Sequence, residues 1–143
     1  MIYTSNDKLP IIKKENKSIF LAGSIDCNMS SNWRKKAMTK LAHYDYLFDP
    51  TNSNHDNLDD KEMKEHIEWE LNALLITNKI LLNFKANALS PISLVELGLY
   101  VATDKLIVVC PKEFYKSRYV YTLCKKYNTP FFYEIEEALN ILT

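Results

Sequence analysis

Two glutamates carry the chemistry that this chain's residue types and spacing allow. Glu96 sits in Ser90-Pro91-Ile92-Ser93-Leu94-Val95-Glu96-Leu97-Gly98-Leu99-Tyr100, just after the apolar run Ile80-Leu81-Leu82-Asn83-Phe84. Its surroundings (Ile92, Leu94, Val95, Leu97, Leu99, Val101) are apolar, and a carboxylate there is costly to bury unless it is paired or has work to do. A lone glutamate of this kind reads first as the partner of a nearby lysine or arginine. The alternative is chemical: an ionised glutamate held dry beside a sugar is a competent nucleophile at an anomeric carbon, giving a covalent glycosyl intermediate that a second acceptor resolves. That reaction wants another carboxylate for the leaving group's proton. Glu70, in His66-Ile67-Glu68-Trp69-Glu70 beside the apolar stripe Ile67, Leu71 and Leu74, is the candidate. On sequence alone, a solvated helix face for Glu68 or Glu70 stands level with that role.

Smaller signals surround this pair. Ser24, after Gly23, is placed to donate to a phosphate or a sugar hydroxyl. Arg34 has a planar fork suited to an anionic substrate, although core and surface of one helix would account equally for Trp33 and Arg34. His66 and Glu70 are four apart and share a helix face. No third ligand accompanies them, so an ordinary side-chain contact is expected and no metal site. The Gly23 loop is not a glycine-rich dinucleotide fingerprint, which argues against a nicotinamide dehydrogenase. Lys116, Arg118, Lys125 and Lys126, among Tyr115, Tyr119 and Tyr121, read as a solvated helix face because the chain as a whole is neutral.

These residues need a scaffold, and the periodicity supplies one. Strands are predicted at Ser18–Ala22, ending on Gly23, at 46–48, closed by Asp49-Pro50, at 80–84, at 106–110, closed by Pro111, and at a short edge, 130–133. Helices are predicted from a Ser31 or Asn32 cap to about His43, from about Asp59 to Thr77, from Ser90 as N-cap with Pro91 as first residue, from Tyr115 to Tyr127, and from Glu134 to Leu142. Residues 51–57 are turn-formers and read as a surface loop that leaves His55 exposed. Alternating strands and helices predict an α/β fold, a flavodoxin-like doubly wound five-stranded parallel sheet with helices on both faces. Its ligand crevice lies beyond the carboxyl ends of the first and third predicted strands. Gly23 to Asp26, the Asp49 turn, and Asn83 to Ser93 converge there.

With 143 residues, the sequence is expected to form one domain over 18–143, preceded by an irregular arm, 1–17, with a short apolar patch at Ile11 and Ile12. Eighteen basic and eighteen acidic residues cancel, so nothing suggests a nucleic-acid partner. No apolar run approaches the ~20 residues of a membrane span, and the N-terminus lacks a signal-peptide layout. Cys27, Cys110 and Cys124 are widely spaced and odd in number, which fits a reducing cytoplasm. Both glycines, Gly23 and Gly98, fall beside the suspected site.

Taken together, these segments resemble the nucleoside 2-deoxyribosyltransferase family and related nucleotide N-glycosidases, from about residue 18 to 142. The resemblance rests on Phe20-Leu21-Ala22-Gly23-Ser24, Trp33-Arg34, Asp49-Pro50, Ile67-Glu68-Trp69-Glu70, and Ser90 to Tyr100. It implies Glu96 as nucleophile within Val95-Glu96-Leu97-Gly98, and Glu70 as the second acidic residue. It implies substrate contacts from Gly23, Ser24, Arg34, Asp49, Asn83, Ser90 and Ser93, and neither metal nor cofactor. The implied substrates are a deoxynucleoside or nucleotide and a nucleobase. The implied assembly is a homodimer or larger homo-oligomer with shared active sites, to which residues 140–143 could contribute. Three positions depart from the family pattern: Ser90 replaces an aspartate, Ile19-Phe20 replaces a tyrosine-bearing strand end, and Asn78 replaces an acidic residue.

Overall fold

The computed structural model describes residues 1–25, 33–51 and 55–143, the His55 side chain excepted. The predicted caps Ser31 and Asn32, together with Asp26 and Cys27, lie outside the described residues. The sheet is parallel throughout and contains β1 (Ile2–Tyr3), β2 (Ser18–Gly23), β3 (Tyr46–Phe48), β4 (Lys79–Asn83), β5 (Leu106–Val109) and β6 (Phe131–Phe132), in the order β1-β3-β2-β4-β5-β6. The five predicted strands are β2 to β6, and their order is that of a flavodoxin-like sheet.

The sixth strand corrects the expectation of an irregular arm. Ile2 pairs with Leu47 and Tyr3 with Phe48, so residues 2–3 extend the sheet beyond β3. The arm is tied down further along, where the Trp69 indole donates to the Asp7 carbonyl at 3.1 Å and Tyr3, Leu9 and Ile12 pack on the core. Ile11 of the predicted patch is exposed. A two-residue strand is too short to show a period.

Strand alternation sorts the core into two layers. Phe20 and Ala22 of β2, with Ile80 and Leu82 of β4, face α2 (Asp60–Ile76), α3 (Pro91–Tyr100) and α4 (Ser117–Lys126). Ile19, Leu21 and Leu81 face α1 (Trp33–Lys40) and α5 (Ile135–Leu142). Helix α1 ends three residues short of the predicted His43, and Leu41 still packs on the core through a turn.

Bonds at both ends fix α2, the helix that carries Glu70. Asp59 and Glu62 form a reciprocal capping box at the start of α2, with Glu62 N–H donating to Asp59 at 2.8 Å. At its other end, Lys105 Nζ donates to the Leu74 carbonyl at 2.8 Å and the Leu75 carbonyl at 3.0 Å, a cation on the negative end of the helix. Asn78 accepts from both Ser18 N–H and Ser18 Oγ at 2.9 Å. This departure from the family pattern therefore staples the amino ends of β2 and β4, at the opposite end of the sheet from the crevice. No helix among the described residues is long and apolar enough to cross a membrane.

Candidate active site

The crevice is built on one close approach between neighbouring strands. Gly23 ends β2 with φ +137° beside Asn83 of β4, and Ser24 N–H donates to the Asn83 carbonyl at 3.1 Å. Past this point the two chains diverge into loops. Ser24 Oγ then bridges them, accepting from Lys85 N–H at 3.2 Å and meeting the Ser90 hydroxyl in a short hydrogen bond.

Ser90 occupies the N-cap position, where its carbonyl accepts the first helical bond, from Leu94 N–H at 3.1 Å. Its side chain does not cap the helix. The residue is held in the left-handed region, φ 53° and ψ 50°, which directs the hydroxyl to Ser24 instead. Tyr115 Oη holds the same loop from outside, donating to the Leu89 carbonyl at 2.9 Å. Like Tyr119 nearby, Tyr115 is exposed.

Between α2, α3 and these loops lies a cavity of ≈ 740 Å³. Glu70, Glu96, Gly23, Ser24, Ser90 and Ser93 line it. Glu96 is only 7% exposed, and the helix turns its polar residues inward: Glu96 and Ser93 are buried, whereas the apolar Ile92, Val95 and Leu99 are open to solvent. Burial, and then the neighbouring Glu70 charge, push Glu96 up to about 8, with Arg34 opposing. Burial likewise pushes Glu70 up to about 7, again against Arg34. Both carboxyls are thus raised toward neutrality, Glu96 further than Glu70.

Arg34, Asp49 and Asn83 do not line the cavity. The reading of Arg34 as a surface residue of its helix is corrected. It is 3% exposed, and its guanidinium donates to the carbonyls of Leu21 (3.0 Å), Gly23 (3.0 Å) and Ser24 (3.2 Å). Its fork is thus spent on the loop that ends β2, while its charge still reaches both glutamates. Burial lowers it to about 10, against the pull of Asp49, then Glu96 and Glu70, so it stays a cation at neutral pH. Asp49 stands 4.0 Å from Arg34 Nε and accepts from Thr51 N–H at 3.0 Å and Thr51 Oγ1 at 2.7 Å. It stabilises the turn and the cation, and Pro50 beside it lines the cavity. Asn83 contributes its backbone to the β2–β4 approach.

The stripe read beside Glu70, Ile67, Leu71 and Leu74, lines the α2 side of the cavity, joined by Met63, which sequence reasoning passed over, and by His66, which is buried and places Nε2 3.0 Å from Glu70 Oε1. The four-residue spacing was visible, but nothing local showed that this helix face turns inward. No lysine or arginine is among the described residues that line the cavity. Among the described residues, no three histidine, cysteine, aspartate or glutamate side chains gather as a metal-binding group. Cys110 and Cys124 are free and buried in the core.

Fold and site together define a doubly wound α/β protein with two carboxylates, one buried and one half-buried, lining a cavity at the topological switch point. Residues 16–114 match the family described as nucleoside 2-deoxyribosyltransferase like, a span that runs from just before β2 to just before α4 and contains every crevice residue named above. The chain belongs to that family. A search of curated proteins gave no match.

Proposed function

We propose that residues 18–143 form an enzyme that cleaves the N-glycosidic bond of a 2'-deoxynucleoside through a covalent Glu96-deoxyribosyl intermediate and passes the sugar to another nucleobase. The observation that carries this reading is the pair of carboxylates, buried Glu96 and half-buried Glu70, lining one largely apolar cavity. A carboxylate oxygen of Glu96 attacks C1', the C1'–N bond breaks, and its electron pair leaves with the base, which takes a proton from Glu70. An incoming base nitrogen then attacks C1', frees Glu96, and returns a proton to Glu70. A pair holding one proton and one negative charge is the state from which this sequence starts.

Apolar walls suit a base. The absence of cations among the described lining residues favours an uncharged nucleoside, because a 5'-phosphate would face two carboxylates without a counter-charge. A second reading is hydrolysis of a nucleoside or its 5'-monophosphate by the same Glu96. It draws on the three hydroxyls of Ser24, Ser90 and Ser93 around the start of α3, where a helix N-terminus favours an anion. Neither reaction needs a metal or cofactor, and a cytoplasmic setting fits both.

The test is chromatography of the protein with a deoxynucleoside and a different free base. A new deoxynucleoside is expected. Free base alone would mean hydrolysis, and no turnover with any nucleoside or nucleotide would mean a binding module. Glu70→Gln keeps the shape but has no acid proton to give. Its kcat is expected to fall roughly 10²–10⁴-fold, the usual contribution of a positioned proton donor.

The cavity is open where Ile67, Leu71, Ile92, Val95 and Leu99 are both cavity-lining and exposed, and a second copy of the chain is the cover we propose. Two helices presenting apolar residues at three- and four-residue spacing form a self-complementary face, so the assembly is a homodimer or larger. Light scattering should give at least twice the chain mass. Leu71→Lys, outside the reacting pair, should return the protein to monomers and weaken substrate binding.

A further inference from the structure

We propose that the basic and aromatic cleft at the start of α4 is a second ligand site, for a phosphate-bearing small molecule, and that Tyr115 connects it to the loop of the candidate active site. The site stands apart from the transfer reading above; its effect on turnover rests on that reading.

Lys112, Lys116 and Arg118 gather with Tyr115 and Tyr119 around a cleft of ≈ 680 Å³. Lys125 and Lys126, which the sequence places in the same cluster, lie at the other end of α4 and outside the cleft. A solvated helix face accounts for those two lysines but not for three cations collected in one concavity.

Nothing local neutralises the three. Among the described residues, none of them forms an ion pair with a carboxylate. Glu113 is next to Lys112 in sequence, but it is exposed and does not line the cleft. Two of the cations rest on aromatic rings instead. Lys112 Nζ lies 5.0 Å from the Tyr133 ring centre, and Lys116 Nζ 5.4 Å from that of Tyr115. A ring face attracts an ammonium without discharging it, so the positive charge stays available.

Charge and space name the ligand class. Three cations in one cleft suit a multiply charged anion, and the Arg118 fork matches two oxygens of a phosphate. The volume falls among those of small-molecule pockets. The chain is neutral overall, which sets a nucleic-acid backbone aside. Tyr119 is 71% exposed and offers a ring beside the charges to an organic group carried by the phosphate.

The link to the crevice is one residue. Tyr115 lines the cleft, and its Oη donates to the Leu89 carbonyl at 2.9 Å. Leu89 lines the cavity of the two glutamates, next to Ser90, whose hydroxyl meets Ser24. A ligand that fixes Tyr115 therefore steadies the loop that leads into α3. By linkage, a substrate that fixes this loop favours the second ligand by the same factor.

The test is calorimetric titration of the wild-type chain with inorganic phosphate and, separately, with phenyl phosphate. Saturable one-to-one binding is expected. The paired variant Lys116→Gln with Arg118→Gln, at exposed positions, should keep the fold by circular dichroism and weaken binding roughly tenfold or more. Tighter binding of phenyl phosphate, lost in Tyr119→Ala, supports the site and names an organic ester as the ligand. Equal binding of the two supports the site and names the free ion. Heat that never saturates, or an unchanged affinity in the paired variant, overturns the proposal.

Nuclear magnetic resonance reads the link without turnover. Phosphate should shift the backbone amide signals of Leu89 and Ser90 in the wild type. It should no longer do so in Tyr115→Phe, which keeps the ring and loses the hydroxyl. Shifts that persist in the paired variant mean that phosphate sits in the crevice itself, and overturn the proposal. Shifts that persist in Tyr115→Phe overturn the link. Where base exchange is found, phosphate should change its KM roughly fivefold or more in the wild type and not in Tyr115→Phe. Binding and amide shifts without any base exchange sink the transfer reading and leave the second site standing.

Discussion

Glu96→Gln is expected to abolish base exchange, lowering kcat/KM by about 10⁴-fold or more while leaving the fold intact. The amide keeps the volume, but it is a far weaker nucleophile than a carboxylate and cannot resolve the intermediate. No neighbour can substitute, because Glu70 sits on another helix and is needed as an acid. Single-turnover assays should show no covalent sugar on the protein, and calorimetric titration should still show substrate binding.

The stability of the variant has a definite sign. Burial holds Glu96 protonated to about 8 in the folded chain, well above an unfolded glutamate. Between the two values the folded state binds more protons, so this group contributes a loss of stability that is absent at low pH and grows as pH rises through that window. Glutamine does not titrate. Glu96→Gln should therefore gain melting temperature relative to the wild type at pH 8 but much less at pH 5. An equal difference at both would show that Glu96 is not buried as described.

Gly23→Ala is expected to lose about 3 kcal/mol or more of stability and most of the activity with it. An added Cβ would lie 2.2 Å from the Asn83 carbonyl oxygen, at a φ of +137° that side chains rarely adopt. The obstacle is backbone. It belongs to the β2–β4 pairing that also positions Ser24, so relief means separating the strands beneath both loops of the crevice. Urea unfolding should show a lower midpoint with a similar slope. Gly98 is the control: nothing lies within 4 Å of its added Cβ, so Gly98→Ala should be neutral or stabilise α3 by about 0.5–1 kcal/mol. The two glycines look alike in sequence, and only the neighbouring strand separates them.

Some features were legible because they are local and periodic. The unbroken apolar run Ile19-Phe20-Leu21-Ala22 announced a buried strand. Pro91 marked the start of α3 to the residue, and Asp49-Pro50 marked the end of β3. The strand order followed from alternating elements and right-handed crossovers, and the position of the crevice followed from that order. Glu96 stood out because a carboxylate in an apolar helix is costly.

Other features depended on partners far apart along the chain. The Ser90 side chain was read as a cap and instead meets Ser24, 66 residues away. Arg34 was read either as the surface of its helix or as a fork for an anionic substrate, yet its donors go to three carbonyls at the end of β2. Residues 2–3 were read as irregular until β3 gave them a ladder. Sequence by itself determined the doubly wound α/β fold, the crevice, and the two glutamates worth testing, because hydrophobic period and chain-breaking residues are written locally. Tertiary structure alone decided where Arg34 spends its charge, that Glu70 and Glu96 line one cavity, and that His66 stands 3.0 Å from Glu70. Burial and side-chain proximity set those outcomes, and neither exists until the helices pack against the sheet.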